Sequence, residues 1–262
     1  MREGFERDVD EHADGARYWL NLKLTLDPVR IEGAERVRYV NTTGETLDEI
    51  GFRLYPNVLS EGAILRVAAV TLNDQPLDFR LLTSNSALIA TLLEPLPPDA
   101  SVELVLAFDL ELPSEVQIGY GRLADVDGIV SLPSFYPMLS IYDAEAGGWW
   151  VGDPDLQGDP AYSAVALYDV LLEAPSELSI ASTGIVYDTI PYEDGLTTGY
   201  HITTGPVRDF AIGFSRDFEL LQAERDGVNF HIWTTPGDRG DDAFAMTVTQ
   251  QAVHVFDQAF GA

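Results

Sequence analysis

Between Tyr18 and Asp27 the chain alternates without a break. Leu20, Leu22, Leu24 and Leu26 fall on one side; Asn21, Lys23, Thr25 and Asp27 fall on the other. A period of two gathers all four leucines on one face of an extended strand, which a helix of 3.6 residues per turn cannot do. Pro28 has no N–H for a central ladder, so the strand ends there. The pattern resumes over 31–40 and closes at the turn Asn41-Thr42-Thr43-Gly44. Further strands are predicted at 48–55, 64–72, 77–82, 87–93 and 101–112, then at 163–174, 178–190, 197–204, 207–215 and 217–234. Asn73-Asp74, the Pro-rich 95–99 and Glu193-Asp194-Gly195 supply turn chemistry between them. Residues 113–161 are less regular. Short strands at this spacing define a mainly β chain of saddle-like or sandwich antiparallel sheets.

The C-terminal segment breaks this rule. Ala245, Val248, Ala252, Val255, Phe256 and Ala259 recur at helical spacing. Asp241 or Asp242 suits the N-cap of this helix, and Gly261 suits its end. An apolar stripe of this kind must be buried against something. The expected division is a flexible lead-in over 1–16, a β domain over 17–217, and a strand-plus-helix unit over 218–262.

Composition narrows the partners. With 43 Asp and Glu against 15 Lys and Arg, the 262 residues carry a formal charge of −28. That balance excludes a basic footprint for nucleic acid or an anionic membrane surface. At 46% apolar residues the chain is not a disordered acidic tail. The absence of Cys removes disulfides, thiol nucleophiles and thiolate metal sites together. No stretch reaches the ~20 apolar residues of a membrane-spanning helix. The first eight residues hold no apolar signal region, so either a cytoplasmic protein or a secreted one with its signal removed is compatible.

Catalytic motifs are missing. His12, His201, His231 and His254 show no i, i+4 pairing of the kind that presents two imidazoles to zinc. There is no Gly-x-Ser-x-Gly elbow and no phosphate-cradling Gly loop. No catalytic or metal-binding residue is assigned. One loop has ligand potential: Asp153, Asp155 and Asp159 place three carboxylates in seven residues, enough to contribute to a Ca²⁺ site, although Asp-Pro and Gly-Asp are also ordinary turn pairs. Trp149-Trp150, just before it, is either an aromatic platform for a ligand or the cover of a core edge.

Several segments, in order, carry a resemblance. Tyr18-Trp19-Leu20-Asn21-Leu22-Lys23-Leu24 leads to Ile31-Glu32-Gly33-Ala34-Glu35, Tyr39-Val40-Asn41 and Phe52-Arg53-Leu54-Tyr55-Pro56-Asn57. Phe135-Tyr136-Pro137-Met138-Leu139 then precedes Gly147-Gly148-Trp149-Trp150 and Gly158-Asp159. Tyr168-Asp169-Val170, Pro175, Ser182-Thr183-Gly184 and Arg208-Asp209-Phe210-Ala211-Ile212-Gly213 follow. Over residues 18–262 this order resembles the N-terminal β domain of the zinc aminopeptidases of the aminopeptidase N (gluzincin) family.

The resemblance implies a saddle-shaped β domain that precedes a thermolysin-like catalytic domain. Residues 219–236 and 241–260 look like the opening sheet and helix of that second domain, and Phe260-Gly261 resembles the family's helix ending. The family's Gly-x-Met-Glu-Asn segment, His-Glu-x-x-His helix and catalytic Tyr have no counterparts here. The family's β domain also contributes a Glu or Gln that holds the substrate's α-amine. Between Asp127 and Tyr142 there is neither, and Glu115 and Gln117 lie upstream.

The resulting expectation is a non-catalytic β domain that shapes the cleft of a larger zinc metallopeptidase. Its partners would be its own catalytic domain and, in the parent, a peptide substrate. Zinc would belong to the parent and no cofactor to this piece. The alternatives are a secreted, self-sufficient β-sandwich binding module, Ca²⁺-dependent through the Asp loop, and a non-catalytic scaffold of peptidase descent.

Overall fold

The structure is a computed structural model, which describes residues 6–113, 122–154, 161–193, 195–236 and 239–260. A short helix α1 (Glu6–Glu11) leads into β1 (Ala16–Thr25), β2 (Arg30–Val40) and β3 (Leu47–Arg53). The turn of helix α2 (Pro56–Leu59) is followed by β4 (Ile64–Leu72), β5 (Gln75–Pro76), β6 (Phe79–Leu82), β7 (Ala87–Leu96) and β8 (Ser101–Glu111). Five short strands come next: β9 (Ala124–Val126), β10 (Ile129–Leu132), β11 (Met138–Leu139), β12 (Tyr142–Asp143) and β13 (Gly148–Trp149). Then come β14 (Ala166–Pro175), β15 (Ser179–Ser182), β16 (Ile185–Pro191), β17 (Thr197–Thr203) and β18 (Ile212–Ser215). The chain closes with β19 (Glu219–Arg225), β20 (Val228–Thr234) and helix α3 (Arg239–Phe260).

An eight-stranded sheet in the order β16-β17-β14-β1-β2-β8-β4-β5 forms the main layer. Two four-stranded sheets, β15-β18-β10-β9 and β11-β3-β7-β6, share one apolar core with its inner face. Alternation sets that face directly. Leu20, Leu22 and Leu24 of β1 are buried, as are Tyr18 before them and Tyr168, Val170 and Leu172 of β14. The ladder is antiparallel apart from β1 and β14, which run parallel, with Leu20 opposite Val170 and Leu22 opposite Leu172. Hydrophobic alternation reads the same in either direction, so the sequence pattern carries no sign of this pairing.

Gly33 is required by its neighbour across the ladder. It pairs with Phe108, whose ring lies over it, and a Cβ on Gly33 would stand 2.2 Å from Phe108 Cζ. The missing side chain is the space that the ring fills.

Several expected elements have different limits. The lead-in is not featureless: residues 6–11 are helical, and Arg17 Nη2 and Arg38 Nη1 donate to the carbonyls of Val9 and Ala13. The strand expected over 178–190 is two strands in two different sheets, β15 and β16. The chain changes sheet at Gly184, where φ is +89° and a Cβ would meet the Thr203 carbonyl oxygen at 2.4 Å. The strand expected over 207–215 shrinks to Ile212–Ser215, because the groups of Asp209 and Phe210 bond elsewhere, as described below. The segment 217–234 is a hairpin that turns at Asp226-Gly227, a pair suited to the φ > 0 that both residues adopt. Asp194 and Gly261 lie outside the described residues.

Helix α3 begins at Arg239, so Asp241 and Asp242 stand in its first turn rather than at its N-cap. There their charge favours the N-terminal end of the helix dipole.

Candidate functional site

The segments that carry the sequence motifs converge on two buried assemblies. In the first, the Phe135-Tyr136-Pro137 loop is tied to the large sheet through phenols. Tyr136 Oη donates to Tyr168 Oη at 2.8 Å and accepts the Phe210 N–H at 3.3 Å, while Tyr18 Oη accepts the Leu139 N–H at 2.9 Å. Tyr18 and Tyr168 stack at 4.8 Å, and the Tyr136 ring meets both edge-on. Asp209 Oδ2 accepts from the Ser134 N–H at 2.9 Å and from its hydroxyl at 2.8 Å.

Burial pushes the phenols of Tyr18, Tyr136 and Tyr168 well up, and their mutual proximity adds to the shift at Tyr18 and Tyr136. Burial also raises the Asp209 carboxyl, against the lowering effect of the Ser134 hydrogen bonds. The cluster clamps a loop to a sheet. Its groups are committed to one another, the three phenols buried and Asp209 half-buried.

Glu35 lies beside this cluster. It occupies an inner-face position of β2, opposite Leu20 on one side and Leu106 on the other, and it is fully buried. Neither carboxyl oxygen has a hydrogen-bond partner, and burial raises its pKa well above the ordinary carboxylate value. A raised pKa in an apolar row is the response expected where ionisation would leave an uncompensated buried charge. The strand period alone marks position 35 as core-facing; what it cannot show is that the carboxyl has no partner.

The second assembly covers the outer face of the sheet formed by β11, β3, β7 and β6. Gly51 has no side chain there, and the Trp149 side chain fills the space: a Cβ on Gly51 would come within 2.6 Å of it. Trp149 Nε1 donates to the Glu49 carbonyl at 2.9 Å, and Tyr39 and Tyr142 pack edge-on against the indole. Arg53, fully buried on the same face, stacks on Trp150 and donates through Nη1 to the Gly152 carbonyl at 2.7 Å. The Trp pair is therefore the cover of a core edge.

The Asp loop behaves similarly where it is described. Burial lowers the Arg53 pKa, opposed by Tyr55 and by the exposed Asp153, while Asp155 and Asp159 lie outside the described residues. Among the described residues no group of three His, Asp or Glu side chains could hold a metal ion. His201 pairs with Tyr187, His231 approaches Gln222, and His254 contacts Asp226 and Gln258, so these histidines do not converge. Glu115 and Gln117 lie outside the described residues, so no α-amine anchor is placed.

The remaining candidate is a surface. The hairpin β19–β20 forms a sheet of its own, and α3 packs on it. Phe230 and Met246 are its buried apolar residues. The stripe expected to be buried is largely bare: Val248, Val255, Phe256 and Ala259 are exposed and Ala245 and Ala252 half-buried, while outside it Phe244 stands at 69% and Phe260 at 83% of full exposure. Phe256 and Phe260 join Val228 and Phe230 along a groove of about 420 Å³ between helix and hairpin. No described helix is long and apolar enough to cross a membrane.

No family model matches the sequence, and no curated protein is significantly similar to it.

Proposed function

We propose that this chain is the non-catalytic β domain of a zinc-dependent metallopeptidase of aminopeptidase type. In this reading its C-terminal hairpin–helix unit is the seat for the catalytic polypeptide. The observation that carries the reading is the uncovered apolar surface of α3 and the hairpin. A unit of this size buries little by itself, and contiguous exposed apolar side chains mark surfaces built for contact. The ordered sequence motifs give the same reading, since Arg53, Tyr136, Trp149, Trp150 and Tyr168 all maintain the shape of the β domain rather than perform chemistry.

The described residues hold no ligand set for zinc. In this reading the metal's role, polarising a scissile carbonyl and activating water, belongs to the part that docks. The contribution of this chain is a rigid wall beside the cleft.

The test is the native gene product, detected with an antibody raised against this chain. A polypeptide far heavier than 28.8 kDa that carries zinc, together with no hydrolysis of aminoacyl anilides by the purified 262 residues, is the expected result. A heavy but zinc-free product would retain the docking surface and remove the hydrolase, leaving a scaffold. A native product of 28.8 kDa, or hydrolysis by the isolated chain, would overturn the proposal.

A further inference from the structure

The outer face of the eight-stranded sheet carries a second feature, independent of the hairpin–helix unit. A cavity of about 440 Å³ opens where β1 and β14 begin, within the range of small-molecule sites. Its lining includes Arg17, Trp19, Leu167, Asp169, Ile185 and Pro206. Arg17 and Trp19 alternate with inward-pointing Tyr18, and Leu167 and Asp169 with inward-pointing Tyr168, so all four face outward. The indole of Trp19 is held in place by Arg36, whose guanidinium carbon lies 4.0 Å from the ring centroid.

Two opposite charges stand unmatched in this apolar setting. Asp169 is exposed and makes no ion pair or hydrogen bond through its carboxylate among the described residues, although its charge adds to the effect of burial in raising the Tyr187 phenol. Arg17 donates through Nη2 to the Val9 carbonyl at 3.2 Å, while its Nε is buried and unpartnered. The parallel register sets Arg17 opposite Leu167 and Trp19 opposite Asp169, so the two charges are diagonal neighbours on one face. They do not pair with each other. With strands about 4.8 Å apart and a rise of about 3.3 Å per residue, such diagonal Cα positions stand roughly 8 Å apart, a gap that side chains and one carbon bearing an ammonium and a carboxylate can bridge.

We infer that this cavity binds a free apolar L-amino acid. Its ammonium meets Asp169, its carboxylate meets Arg17, and its side chain lies against Trp19, Leu167 and Ile185. The chain's charge of −28 repels net anions, whereas a zwitterion carries no net charge into that field. A simple amine would leave the Arg17 Nε without an acceptor, at the cost of a buried unsatisfied donor.

The test is titration calorimetry on the full chain with L-phenylalanine and L-leucine, against L-alanine, 2-phenylethylamine and 3-phenylpropionate. Saturable binding of the first two is expected, with each of the others weaker by about tenfold or more. Asp169→Asn changes an exposed side chain and is expected to weaken L-phenylalanine by a similar factor. Arg17→Gln is expected to do the same, checked for retained folding by circular dichroism. The accompanying change in tryptophan fluorescence should disappear in Trp19→Phe. Absence of binding at millimolar ligand would overturn the assignment. So would equal affinity for 2-phenylethylamine, which identifies an amine site, or unchanged binding in Asp169→Asn.

Discussion

The guanidinium carbon of Arg53 stands 4.6 Å from the centroid of the Trp150 ring, a cation over an indole in a fully buried position. Its Nη1 is satisfied by the Gly152 carbonyl, while Nε and Nη2 have no partner. The stack and one hydrogen bond therefore offset the desolvation of the charge, and Tyr55, 5.3 Å away, adds a second aromatic face.

Arg53→Lys is expected to cost about 2 kcal/mol, because lysine keeps the charge but loses the planar contact and the fork of donors. Arg53→Met, which fills similar space without a charge, should cost less than Arg53→Lys. Urea unfolding of the two variants decides it. A lysine variant as stable as the parent would refute this account of the site.

Gly33 and Phe108 make a second coupled pair. Gly33→Ala is expected to destabilise by about 1–3 kcal/mol through overpacking, since the added carbon enters the ring of Phe108. Phe108→Leu alone should also destabilise, but the double variant should lose less than the sum. A double-mutant cycle measures the difference, and strict additivity would show that the ring is not what excludes the side chain.

Glu35 predicts a pH dependence of definite sign. Its folded pKa lies above the ordinary value of 4.5, so its contribution to stability is complete below about pH 4.5 and is lost as pH rises toward the folded value. Asp209, also raised, acts in the same direction. Glu35→Met is expected to gain about 1–3 kcal/mol at pH 4, where the protonated carboxyl is already buried without a partner, and more at pH 7, where ionisation in the unfolded state adds to the cost, flattening the profile. Denaturation midpoints for parent and variant across pH 4–8 provide the check; a pH-independent difference between them would contradict the buried neutral carboxyl.

The hairpin–helix unit should respond to substitution unevenly. Phe244→Ser and Phe260→Ser are expected to change the stability of this chain by no more than about 0.5 kcal/mol, since both rings are exposed. Met246→Ala, which empties a buried position, should cost about 2 kcal/mol within the unit. Hydrogen exchange should show α3 amides opening at lower free energy than those of β1, because α3 rests on a two-stranded sheet while β1 lies inside an eight-stranded one. Equal protection in the two elements would argue against a separate C-terminal unit.

Much of the β architecture was legible in the sequence because it rests on local chemistry. The strict alternation at Tyr18–Asp27 places β1 and its buried face, Asn73-Asp74 marks the turn before β5, and the helical spacing after Asp241 announces α3. The limits drifted where side chains took over backbone groups, as at Asp209 and Phe210, or where one glycine moved the chain between sheets, as at Gly184. For the Trp149-Trp150 pair, the sequence allowed a platform or a cover. The empty face of Gly51, a hundred residues away in the chain, makes Trp149 a cover.

The sequence by itself determined that this chain is mainly β, which side of each long strand is apolar, and that a helix closes it. Those properties depend on the order of neighbouring residues and on two fixed periods, 2.0 and 3.6. The tertiary structure alone decided that β14 lies parallel to β1, that Glu35 is sealed among leucines, that Arg17 and Asp169 share one cavity, and that the aromatic face of α3 stays bare. Each of these depends on a partner far away in the chain. Periodicity records which face of an element is apolar, whereas the element that covers it is selected by packing in space.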